Sequence, residues 1–172
     1  MPDSLGRWKQ AMAFLLTSRG IPQIYYGTEL LMNGSKEGSD GYVRRDMPGG
    51  FPGDEVNAFS REGRSDIQNE AWDFLSKVLN WRRGDAREVM ARGSLKHFMP
   101  QNGLYVYRRK LGDKEVTIMM NGRDEPLTVT MERTLEILPY GTVLRNILTD
   151  SDVTISEKMT FAPREVMILQ NW

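Results

Sequence analysis

The chain has 172 residues, 40% of them hydrophobic and 27% charged, which is enough apolar material for a core beneath an ordinary soluble surface. Its 23 basic and 23 acidic side chains cancel, so it carries no basic footprint for nucleic acid or an anionic membrane, and no apolar run approaches the ~18 residues of a membrane helix. The absence of cysteine excludes disulfides and thiolate metal sites and leaves the compartment open between cytoplasm and periplasm.

The first predicted element is a helix over residues 5–19. Leu5, Trp8, Met12, Leu15 and Leu16 fall on one stripe, Asp3 or Ser4 is placed to cap its start, and Gly20 to end it. Residues 20–31, GIPQIYYGTELL, then read as a short buried strand: Ile24, Tyr25 and Tyr26 lie between glycines, and Gly27-Thr28-Glu29 hands the chain over to a loop. Helix, tight glycine turn and buried strand make the repeating unit of an α/β sheet or barrel, and one copy cannot be a whole barrel. Residues 33–64 carry glycines and prolines with little periodicity, the pattern of a long functional loop or, more blandly, of a flexible surface loop. A second helix is predicted over 65–83, capped by Ser65 or Asp66, with Ile67, Ala71, Phe74, Leu75 and Val78 on its apolar face and Gly84 closing it.

Beyond residue 90 the apolar period becomes two. Strands are predicted at 95–99, 104–110, 115–121 and 127–131, with Asn102-Gly103, Leu111-Gly112-Asp113 and Asn121-Gly122 as turns, and further strands at 142–148, 153–156 and 164–170. About seven or eight short strands at this spacing indicate an antiparallel β-sandwich. The composition shift places a domain boundary between residues 84 and 93.

The residues GIPQIYYGTEL resemble the eighth strand of the (β/α)8 barrel in the α-amylase family of glycoside hydrolases, and Arg44-Arg45-Asp46-Met47-Pro48-Gly49-Gly50 resembles its cyclomaltodextrinase and neopullulanase branch. The resemblance implies an α+β fragment: residues 1–86 as the last helix-strand-helix portion of a TIM barrel, residues 87–172 as an all-β C-terminal sandwich. It also implies a retaining enzyme of carbohydrate metabolism acting on maltodextrins, cyclodextrins or pullulan, with two carboxyl groups about 5–5.5 Å apart. In the family an aspartate, a glutamate and a second aspartate stand on strands four, five and seven, all of which would precede Met1. The chain is therefore expected to be a truncation that lacks the catalytic residues, needs no cofactor, and is inactive without the missing N-terminal barrel portion.

Among residues present, Arg44 matches the arginine that related glucosidases place at the pocket floor, where a guanidinium can hold a carboxylate or donate to sugar hydroxyls. Arg45 and Asp46 beside it can pair with each other; the bland alternative is a solvated charge cluster worth under ~1 kcal/mol. Phe51 and Tyr42 offer rings on which a glucose unit could stack, against an ordinary role in anchoring the loop. Glu29 and Tyr26, at the strand end, resemble structural residues of the family, and Glu29 has no matching second carboxylate for general-acid work. Asp54 and Glu55 are too few oxygens for a cation on their own, and His97, the sole histidine, falls in a predicted strand. The alternative to an enzyme segment is a carbohydrate-binding or dimerisation β-domain, for which Phe98, Tyr105, Tyr107 and Tyr140 would have to form an aromatic platform; Tyr105 and Tyr107 share one strand face, so core use is the simpler reading.

Overall fold

The computed structural model describes residues 3–172, with side chains from Leu5 onward, so the expected cap from Asp3 or Ser4 lies outside the described residues. The chain divides into two compact units: residues up to Pro22 together with Lys77 to Trp172, and residues Gln23 to Ser76.

The first unit holds helix α1 (Asp3–Thr17), the C-terminal end of α2 (Asp66–Arg83), the short α3 (Arg87–Arg92), and eight strands. These are β1 (Ser94–Gln101), β2 (Leu104–Leu111), β3 (Lys114–Asn121), β4 (Leu127–Thr130), β5 (Val143–Asn146), β6 (Ser151–Thr154), β7 (Lys158–Phe161) and β8 (Val166–Gln170). Six form one antiparallel sheet in the order β1-β2-β3-β8-β5-β6, and β4 pairs with β7 in a second. The mostly antiparallel β-architecture read from the period-two pattern is thus present. Asn102 and Gly103, at φ 53° and 93°, turn β1 into β2 in the left-handed conformation a two-residue hairpin requires.

Register shows why the large sheet is buried on both sides. Val106 faces Met119, which faces Met167, and these side chains join Leu127, Met159 and Phe161 of the small sheet in one apolar cluster with Ile137, Leu138, Leu144, Ile155 and Leu169. On the opposite face Tyr107 lies beside Ile118, and Ile118 beside Ile168. Helices cover that face. The Tyr107 hydroxyl meets Thr17 Oγ1 at 2.5 Å, and Trp81 Nε1 donates to Gln170 Oε1 at 2.6 Å. Arg109, 1% exposed, donates to the carbonyls of Thr17, Ser18, Met90 and Gly93, the unpaired C-terminal acceptors of α1 and α3. Burial on both sides explains why every residue of β8 is buried instead of alternating.

Four expectations are corrected. Residues 20–31 form no strand: residues 21–25 have no regular structure, and the chain then closes in a 3₁₀ turn at Thr28–Leu30 between Gly27 at φ 81° and Leu31 at φ 56°. A parallel strand needs neighbours on its flanks, and no described strand pairs with it; local bonds such as Met32 N–H to Gly27 C=O at 2.9 Å satisfy the backbone instead. Asn121-Gly122 is not a hairpin. β4 leaves for the other sheet, and the Asn121 amide holds the crossing by donating to Glu125 and Ala162 carbonyls at 2.9 and 2.8 Å. The helix α3 (Arg87–Arg92) and the strand β7 (Lys158–Phe161) were not expected at all; α3 has under two turns, and β7, though it alternates, depends on pairing with the distant β4.

Candidate functional site

The residues singled out from the sequence lie in the second unit, on the segment between Gln23 and α2. Its framework begins at α2. Ser65 and Gln68 form a capping box, the Gln68 side chain accepting from Ser65 N–H at 2.9 Å while Gln68 N–H reaches Ser65 Oγ at 3.4 Å. The Gln68 amide also donates to Leu30 C=O at 3.0 Å, tying the 3₁₀ turn to the helix start. Arg64 anchors the end of the loop: its guanidinium lies 4.2 Å above the Trp72 ring, with Nε on Asn69 Oδ1 at 2.9 Å and Nη1 on Ala58 C=O at 3.0 Å. Arg61 binds both oxygens of Asp73.

Within this framework the structure brings Tyr26 to the arginine stretch. Its hydroxyl donates to Arg45 C=O at 3.0 Å, and its ring centroid is 4.5 Å from that of Tyr25. The Tyr26 hydroxyl is pushed above the ordinary tyrosine range, first by its hydrogen bond with Tyr25, then by desolvation and by the Asp46 carboxylate, with Arg44 opposing. Tyr26, Arg44, Arg45 and Asp46 therefore share one electrostatic neighbourhood. Arg44 itself is exposed and reaches Asp40 at 3.4 Å, one turn earlier on the 3₁₀ helix Asp40–Val43, a geometry open to other partners. Tyr42 is exposed, its ring lying over Gly38, where a Cβ would come within 2.9 Å of it. Glu29 is half-buried in the 3₁₀ turn.

The following loop is tightly closed. Gly49 bridges to Asn57, and Ala58 N–H donates to Pro48 C=O at 2.8 Å. Asp54 Oδ2 accepts from both Gly49 N–H and Phe51 N–H, at 2.9 and 3.0 Å. Asp54, read from the sequence as a thin candidate ion ligand, thus serves the backbone, and no metal-competent group of three or more His, Cys, Asp or Glu exists among the described residues. Phe51 stands at the tip, 67% exposed. Phe59, which the sequence reading passed over, is 58% exposed and reaches the same side of Gly49 as Phe51. Of the β-domain aromatics, Tyr107 is buried, Tyr105 lies 5.2 Å from it, Phe14 of α1 meets both, and Phe98 packs on the core, while Tyr140 is exposed. His97 is exposed near Tyr105.

Comparison with known proteins covers both units. Residues 95–170 match the cyclo-malto-dextrinase C-terminal domain family. The chain is 31% identical over 153 residues to a cyclomaltodextrin glucanotransferase of Bacillus licheniformis, covering 87% of this chain and 18% of the relative. An α-amylase of Niallia circulans is 29% identical over 150 residues, 86% of this chain and 24% of the relative. In three dimensions the chain is similar to the α-amylase of Geobacillus thermoleovorans solved with acarbose, with a TM-score of 0.72 and 28% identity over 96% of this chain and 33% of that one. The chain spans about a fifth of the length of the curated relatives it matches.

Proposed function

With residues 95–170 carrying a cyclo-malto-dextrinase C-terminal domain, and the chain as a whole related to α-amylase-family glycoside hydrolases, we propose that it serves as the C-terminal segment of a retaining α-glucan hydrolase. One observation carries this reading: relatives that process glucans match 86% or more of the chain, while the chain matches only 18–33% of each of them. In this proposal residues 1–86 complete a (β/α)8 barrel and residues 87–172 form the C-terminal sandwich that follows it. Residues 20–31, which pair with no described strand, become the eighth strand when the neighbouring strands flank them. Glu29 and Tyr26 then hold the strand end. Arg44, Arg45, Asp46, Tyr42 and Phe51 shape the pocket for a maltodextrin, cyclodextrin or pullulan, and the carboxylates that cleave the bond come from elsewhere in the enzyme.

The chemistry of the arginine stretch supports the assignment of roles. Among the described residues Arg44 makes an exposed pair with Asp40, so its fork can be redirected to sugar hydroxyls at little cost. Hydrolysis of maltoheptaose and β-cyclodextrin by the 172-residue chain, beside the full-length enzyme, tests the proposal. Only the full-length enzyme is expected to be active, and in it Arg44→Ala is expected to lower kcat/KM by about 10–100-fold, the worth of a charge-assisted hydrogen bond. Glucan hydrolysis by the short chain alone would overturn the proposal.

A further inference from the structure

We infer that Asp54 is a positioning residue that fixes Phe51 as a preformed platform for one pyranose ring of the α-glucan. The inference rests on the proposed function and assigns a part in substrate binding to a carboxylate outside the arginine stretch. Both peptide groups flanking the Phe51 Cα are bonded to the same residue. The Phe51 N–H donates to Asp54 Oδ2 at 3.0 Å, and the Phe51 carbonyl accepts from Asp54 N–H at 2.9 Å. The same Oδ2 also takes the Gly49 N–H at 2.9 Å, so one oxygen draws together the chain on both sides of the tip. Gly50 and Gly53, at φ 78° and 100°, supply the left-handed turns that make the tip this tight. What remains free at Phe51 is its own side-chain torsion.

The ring so held lies over Gly49 beside Phe59 and is 67% exposed, whereas Leu30 and Leu75 of the same unit are buried. A flat apolar ring displayed on a rigid backbone suits the apolar face of a sugar, because binding then freezes few protein torsions. Gly49 leaves the space for it: a Cβ there would come within 2.7 Å of the Phe51 ring and 2.9 Å of the Phe59 ring. The role assigned to Asp54 is geometric, as one oxygen accepts both N–H groups. An asparagine at this position keeps an equivalent oxygen, and an alanine keeps none.

Four proteins separate the possibilities: full-length wild type, Phe51→Ala, Asp54→Ala and Asp54→Asn, each assayed on maltoheptaose and by hydrogen exchange of the peptides spanning 48–55. The expected result is a KM about three- to tenfold higher, with kcat within about twofold, for Phe51→Ala and Asp54→Ala alike. Asp54→Asn is expected to keep both the wild-type KM and the slow exchange of the tip amides, which Asp54→Ala loses. An unchanged KM in Asp54→Ala beside a raised KM in Phe51→Ala overturns the inference and leaves the proposed function standing. So does a loss in Asp54→Asn as large as in Asp54→Ala, since the charge would then be the working feature. If Phe51→Ala lowers the melting temperature without moving KM, the ring packs against protein and its role as a sugar contact fails.

Discussion

Asp124 shows what a single side chain contributes to this fold. Its carboxylate receives Arg164 Nε at 2.5 Å on one oxygen and an Arg7 nitrogen at 2.9 Å on the other, joining α1 to the connection after β3. The Arg164 hydrogen bond, then that of Arg7, holds the carboxyl down at about 2 against an ordinary 3.8, despite some desolvation. A carboxylate with a depressed value in the folded state adds stability above its unfolded value and loses it as pH falls through the folded one. Urea midpoints should therefore drop between about pH 4 and about pH 2, and Asp124→Asn should flatten that acid limb while lowering stability at neutral pH. Residues of this kind were the least visible in the sequence. Arg109 drew no attention in LYVYRRK, because nothing local announces that the ends of two helices will enclose it. Asp54 was weighed only as one of two carboxylates too few for a cation; its actual partners are backbone amides, which a residue string does not display.

At the scale of elements, those with their own local chemistry were legible and those needing distant partners were not. Helix α2 was bounded to within a residue because its stop signal and capping box are contained in the segment itself. Ser65→Ala removes the cap and should cost about 1 kcal/mol, read as a shift of the denaturation midpoint with little change of slope. Gln68→Ala additionally frees Leu30 C=O, so the two substitutions should not be additive when combined, as expected of groups in one network. Residues 20–31 have strand composition but lack strand neighbours, and composition without partners left an irregular segment and a 3₁₀ turn, with Ile21, Tyr25 and Tyr26 exposed. The motif was sound as a mark of family resemblance even where it failed as secondary structure.

Over the whole molecule the period-two pattern conveyed seven of the eight strands and their antiparallel character, but not β7 or who pairs with whom. The order β1-β2-β3-β8-β5-β6 depends on the small sheet drawing β4 and β7 out of sequence, a decision made by the apolar cluster around Met119, Phe161 and Leu169. β8 lies between β3 and β5 and contributes to both faces of the sheet. Removing residues 166–172 leaves β1-β2-β3 without a link to β5-β6 and exposes Met119, Ile118 and Val106. The shortened chain is expected to show no cooperative urea transition, whereas removing Trp172 alone should leave one.

The place of β8 also dictates when the molecule can fold. β8 follows the other seven strands in chain order yet lies inside the large sheet, so β1, β2, β3, β5 and β6 must wait, with apolar faces open, until it has been made. During that interval the nascent chain depends on helix α1 and the β1-β2-β3 meander for whatever cover they give each other, and any pause in translating residues 166–170 prolongs its exposure to chaperones and proteases.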